Sequence, residues 1–159
     1  MRVCQPGILE ALLNEALQDR LCVQTWLGYG DVLFLGIGEI PMPLSADGSH
    51  AYPPYEIQTV HAEWSVERDG RIVGGNAPRE EIDEAIKSLV GLKVVGWDGT
   101  ELPQRLSIML AGETRFRISG CDEGTAMTSE AWSIRRPNGE YVVVKCDGSV
   151  NIANDNAPA

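Results

Sequence analysis

Apolar positions recur along residues 6–19 as Ile8, Leu9, Leu12, Leu13, Ala16 and Leu17. That stripe follows a 3.6-residue period, so the spacing predicts an amphipathic helix. Pro6 suits its first turn and Glu10 its positive end. Residues 20–27 and 31–37 read as strands joined through Gly28-Tyr29-Gly30-Asp31, and Val32-Leu33-Phe34-Leu35, apolar on both sides, belongs at the centre of a sheet. Residues 57–68 alternate strictly. Val60, Ala62, Trp64 and Val66 fall toward one face, and Thr59, His61, Glu63, Ser65 and Glu67 toward the other. Asp69-Gly70 then turns the chain into Ile72-Val73. A second helix, over 77–90, begins near Asn76-Ala77-Pro78, carries Ile82, Ala85, Ile86 and Leu89 as its stripe and stops at Gly91. Strands are predicted over 92–97, 105–111, 114–119, 130–136 and 141–146, separated by turns such as Asp98-Gly99, Asn138-Gly139 and Asp147-Gly148. Residues 152–159 read as a flexible tail, with fraying from Asn151 onward.

One pattern occurs twice. Trp64-Ser-Val-Glu-Arg is followed by a turn ending in Gly and an apolar run, as is Trp132-Ser-Ile-Arg-Arg. Upstream, Arg20-Leu-Cys-Val is echoed by Arg105-Leu-Ser-Ile, and Gly30-Asp-Val-Leu-Phe by Gly112-Glu-Thr-Arg-Phe, in the same order. The offset changes only between predicted strands, where loops vary in length. Internal similarity of this kind suggests a duplicated four-stranded unit. The reading is therefore an α+β fold, mainly antiparallel, with two packing helices. It predicts a single domain over 1–151 with pseudo-repeats at about 20–74 and 105–146. Trp64 and Trp132 are expected to be buried anchors whose indole N–H groups need acceptors.

Residues 38–56 break the pattern. Pro41, Pro43, Pro53 and Pro54 exclude regular helix or central strand, and a connection of this length is often functional. The matching connection after Cys121 is much shorter. Glu39, Asp47, His50, Tyr52, Tyr55 and Glu56 are accordingly the candidate contact residues. With 23 acids against 13 bases, the chain carries a net charge of −10. Such a balance argues against nucleic acid, whose phosphates need clustered Lys and Arg, and favours a basic protein partner. No apolar run reaches the ~20 residues that span a bilayer, and the opening residues lack a secretory pattern. A cytoplasmic protein is expected.

The residues that carry chemistry are sparse. Cys4, Cys22, Cys121 and Cys146 are isolated, which reads as reduced thiols with no metal role. His61-Ala62-Glu63 matches half of a zinc deaminase signature, but the Cys-x-x-Cys half is missing and both side chains fall on the polar face of a strand. Gly28-x-Gly30 and Gly36-x-Gly38 lack the third glycine and the following helix of a phosphate loop. Asp122 and Glu123 read as a solvated loop, since no calcium-loop spacing surrounds them. With only His50 and His61 available, an enzyme is not expected, nor a cofactor or metal. The alternative to protein binding is a small-ligand binder, with Trp26, Trp64, Trp97 and Trp132 lining a sheet interior.

Arg105-Leu-Ser-Ile-Met-Leu, Phe116-Arg-Ile and Ala131-Trp-Ser-Ile-Arg-Arg-Pro-Asn-Gly-Glu-Tyr-Val-Val-Val, with Tyr29-Gly30-Asp31-x-Leu33-x-Leu35 upstream, resemble a group of uncharacterised bacterial domains. Those domains share a Trp-x-Leu-x-x-Pro-x-Gly strand–turn signature. The likeness spans most of residues 20–146 and rests on structural positions, so it implies no catalytic role. Some similar domains are linked by analogy to immunity proteins of bacterial toxin systems, which would make an inhibitor of a protein partner the expectation.

Overall fold

The structure is a computed structural model that describes residues 2–3, 7–28, 30–42 and 52–154. In chain order the elements are β1 (Arg2–Val3), α1 (Ile8–Leu17), β2 (Leu21–Leu27), β3 (Leu33–Gly38), β4 (Tyr55–Thr59), β5 (Ala62–Arg68), β6 (Arg71–Gly74), α2 (Arg79–Lys87), β7 (Val94–Asp98), β8 (Leu106–Leu110), β9 (Thr114–Cys121), β10 (Glu130–Arg135), β11 (Glu140–Lys145) and β12 (Val150–Asn154). The fold is α+β. The strands form a seven-stranded sheet ordered β1-β12-β11-β10-β4-β3-β2 and a five-stranded sheet ordered β6-β5-β9-β8-β7. Every pairing among the described strands is antiparallel.

The alternation read from the sequence decides which side of each strand is apolar. Leu33, Leu35 and Ile37 of β3, Ile57 of β4, Trp132 and Ile134 of β10, and Val142 and Val144 of β11 face inward from the larger sheet. Trp64 and Val66 of β5, Phe116 and Ile118 of β9, and Leu106, Ile108 and Leu110 of β8 do so from the smaller. Together with α1 and α2 they form one apolar cluster. Each helix touches both sheets, α1 at β3 and β7 and α2 at β2 and β6. Thr25 of β2 donates its hydroxyl to the Ile86 carbonyl at the end of α2 (2.9 Å), fixing that helix to the sheet.

The sheets also meet along one edge. Cys22 N–H donates to the Leu92 carbonyl and Val94 N–H to the Arg20 carbonyl, so β2 is joined to the approach to β7. Elsewhere they are tied covalently, because Cys121 at the end of β9 and Cys146 just after β11 form a disulfide. This corrects the expectation of reduced thiols at those two positions. Cys22 remains free and buried, while Cys4 lies outside the described residues.

Three further differences from the sequence reading have physical causes. The alternating run over 57–68 is two strands in two sheets. It breaks at Val60 and His61, whose N–H groups both donate to the Ala131 carbonyl of β10. Residues 151–154, expected to fray, instead belong to β12, which pairs with β11 and puts Ile152 opposite Val142. Finally, each half of the chain gives one hairpin to each sheet, β2–β3 and β10–β11 to the larger, β5–β6 and β8–β9 to the smaller. The four-stranded repeat therefore does not stand as a separate unit in either sheet. The two indoles are satisfied in the same manner at separate places: Trp64 Nε1 donates to the Asp31 carbonyl (2.8 Å) and Trp132 Nε1 to the Pro103 carbonyl (3.0 Å). Among the described residues no helix is long and apolar enough to cross a membrane.

Candidate binding surface

The two described ends of the 38–56 segment lie on the outer face of the seven-stranded sheet. Met42 N–H donates to the Val23 carbonyl (2.8 Å), and the Gln24 side-chain amide donates to the Met42 carbonyl (3.0 Å). At the other end Pro53 sits against Gly36 and Pro54 against Gly38. A Cβ on Gly36 would come within 2.8 Å of the Pro53 ring, so this position admits the proline because it has no side chain. The Arg135 guanidinium lies 4.4 Å from the Tyr52 ring centre, a cation–π contact at the exposed margin of the same face.

Of the six contact residues read from the sequence, Glu39 and Tyr52 are exposed, Tyr52 on this margin and Glu39 near Arg20. Asp47 and His50 lie outside the described residues. Tyr55 and Glu56 are not in a loop at all; they open β4 and are buried. Glu56 stands in an outward-facing row across the sheet, Gln24–Gly36–Glu56–Arg135–Tyr141. Burial pushes its carboxyl above the usual carboxylate range, against the opposing pull of Arg135 and a hydrogen bond from Gln58. Tyr55 points to the opposite side, beneath Arg20 at 5.0 Å from its ring. Burial, with the nearby Glu15, raises its phenol, while Arg20 and Arg136 act the other way. Arg136 in turn reaches Glu15 of α1 (3.4 Å) and Glu140 of β11 (3.1 Å), and Arg20 comes within 4.0 Å of Glu39. These charges tie α1 to the larger sheet around the buried Tyr55.

A groove of about 520 Å³ opens at the opposite end of the β3–β4 pair. Asp31, Glu63 and Asp122 line it, with His61, Asn76, Ser119 and the wall of Trp64. No Lys or Arg is among its lining residues. Asp31 comes from the turn before β3, Glu63 from the bulge at the start of β5, and Asp122 from the residue after the disulfide. His61 is held by its Nδ1 against the Glu130 carbonyl at 2.9 Å. The sequence reading weighed His61, Glu63 and Asp122 separately and missed Asp31, because no local spacing joins these strand ends.

The arrangement gives little to a chemical mechanism. Among the described residues no group of three or more His, Cys, Asp or Glu is placed to hold a metal ion. Burial pushes the Cys22 thiol up to about 12, which keeps it protonated and unreactive. The four indoles have separate surroundings: Trp26 stacks on Phe34 on the outer face (4.0 Å between ring centres), Trp97 lies over Gly99, and Trp64 and Trp132 bond distant carbonyls. Compared with protein-family models, with curated proteins and with solved structures, the chain matches none.

Proposed function

We propose that this chain is a non-enzymatic binding protein for a basic protein partner. The contact surface is the acidic groove at Asp31, Glu63 and Asp122, with the segment over 38–56 as a second region of contact. The observation that carries the reading is the groove's charge: acidic residues from three elements line it, with no Lys or Arg among the lining residues. A partner's Lys or Arg inserted there would gain charge-assisted hydrogen bonds, and the net charge of −10 would speed its approach. The separate surroundings of the four indoles favour this reading over a tryptophan-lined ligand chamber. The action of an inhibitor on a toxin-like partner is one form such binding would take. The Cys121–Cys146 disulfide favours an oxidising compartment over the cytoplasm.

The test is affinity capture from the native cell at low salt, comparing the parent with a variant carrying Asp31→Asn, Glu63→Gln and Asp122→Asn. The expected result is a basic protein retained by the parent and lost by the variant. Retention of nothing basic, or equal retention by both chains, would reject the groove as the binding site.

A further inference from the structure

The outer face of the five-stranded sheet has a property that the groove does not use. Across the neighbouring strands β6, β5, β9 and β8, the register sets Ile72, Glu67, Arg115 and Met109 side by side in one row. The order is apolar, acid, base, apolar. Read backwards, it becomes apolar, base, acid, apolar, so the row is complementary to its own reverse.

The face is open. Ile72 is 63% exposed and Val95, at the β7 margin, 65%. A hollow of about 510 Å³ lies over Glu67, Val95, Met109 and Arg115. A second hollow, over Asp98, Ser107 and Arg117, continues along the same side. The charged residues on its two rows are Glu67, Asp98, Arg115 and Arg117, two of each sign, and the hollows add Glu101, Arg105 and Glu113, so the face is close to neutral. The chain as a whole carries −10, so most of its surface repels a second copy, and this nearly neutral face does so least.

We infer that the outer face of the five-stranded sheet is a self-association surface whose occupant is a second copy of this chain, packed face to face about a two-fold axis. With the axis parallel to the strands and between β5 and β9, Glu67 stands opposite Arg115 of the second copy, and Ile72 opposite its Met109. Each contact occurs twice, as a closed two-fold interface requires. The inference is independent of the acidic groove, because it draws on a nearly neutral face and a different partner.

The experiment is sedimentation of the purified chain up to about 1 mM, a range that reveals even weak dimers. A concentration-dependent dimer is expected. Arg115→Glu sets like charges opposite each other and should weaken the dimer roughly tenfold or more, as should Ile72→Asp. Combining Glu67→Arg with Arg115→Glu restores the opposed charges and should recover association. Ile72 is mostly exposed, so its replacement leaves the fold intact even if an Arg115 variant were to misfold. A monomer across the whole range, or a dimer that Ile72→Asp leaves unchanged, would overturn the proposal, and retention of a foreign protein on this face alone would do the same.

Discussion

The two sheets present the same alternation outward and treat it in opposite ways. On the larger sheet the outward residues Gln24, Glu56 and Ser133 are buried, at 3%, 1% and 0% exposure. On the smaller sheet the outward Ser65, Arg115, Arg117 and Ser107 keep substantial contact with solvent. Two glycines account for much of the difference. Gly36 and Gly38 leave room for Pro53 and Pro54 to lie flat on β3, whereas Gly74 and Gly96 of the smaller sheet have no proline beside them. A polar face is thus an invitation to solvent only where the chain's own connections do not reach it. The covered face is committed to the fold, and the open one is free for a second molecule.

The strongest way to break this comparison is at the indoles, one from each sheet. Trp132→Ala and Trp64→Ala should each cost about 3–5 kcal/mol in denaturant unfolding, with Trp132 the larger because it is wholly buried. If either variant unfolds like the parent, the inner face assigned to its sheet is wrong. Next in size is the covalent link between the sheets. Replacing Cys121 and Cys146 together by Ser reopens a bridge spanning 25 residues and should lower stability by about 2–4 kcal/mol. Equal melting of the parent with and without reductant would show that the bond contributes nothing.

The covered face itself is tested by Gly36→Ala. The added methyl meets the Pro53 ring, and the displacement should cost about 1–3 kcal/mol, whereas Ser65→Ala on the open face should stay within about 0.5 kcal/mol. Similar losses at both positions would erase the distinction between the faces. The smallest effect concerns pH. Glu56 has a carboxyl raised above its unfolded value by burial, so the folded chain holds that proton more tightly than the unfolded one. Its contribution to stability therefore falls as pH rises from the ordinary carboxylate range through the raised folded value. Below the unfolded value it is protonated in both states and imposes no cost. Glu56→Gln should flatten that part of the stability–pH curve, and urea unfolding at a series of pH values would show it. An unchanged curve would mean that Arg135 fully offsets the burial.

Much of the architecture was legible in the chain. The stripe Leu9, Leu12, Leu13, Ala16 and Leu17 marks α1, and Ile82 and Ile86 mark α2, because helical periodicity is a local property. Asp69 and Gly70 both take positive φ, as the tight hairpin turn between β5 and β6 requires. The break at Val60 and His61 was not legible because no Gly or Pro marks it, although the phase shifts there: Ile57 and Thr59 turn inward in β4, and Ala62, Trp64 and Val66 in β5. The start of β4 was hidden by the prolines just before it. At the candidate site, Glu39 and Tyr52 were found in the sequence as exposed residues, but the pairing of Asp31 with Glu63 and Asp122 was not.

By itself the sequence determined where helices and turns fall, that both tryptophans need burial and an acceptor, and which residues turn inward within most strands, though not at Thr59 and Val60. Each of these follows from interactions within a few residues, or from the cost of leaving a large apolar ring in water. Only the tertiary structure decided which strands pair, that Cys121 meets Cys146, that one polar face is roofed and the other open, and that three acids from separate elements share a groove. Those outcomes depend on contacts between residues far apart in the chain, whose energies appear only once the sheets have closed on a common core.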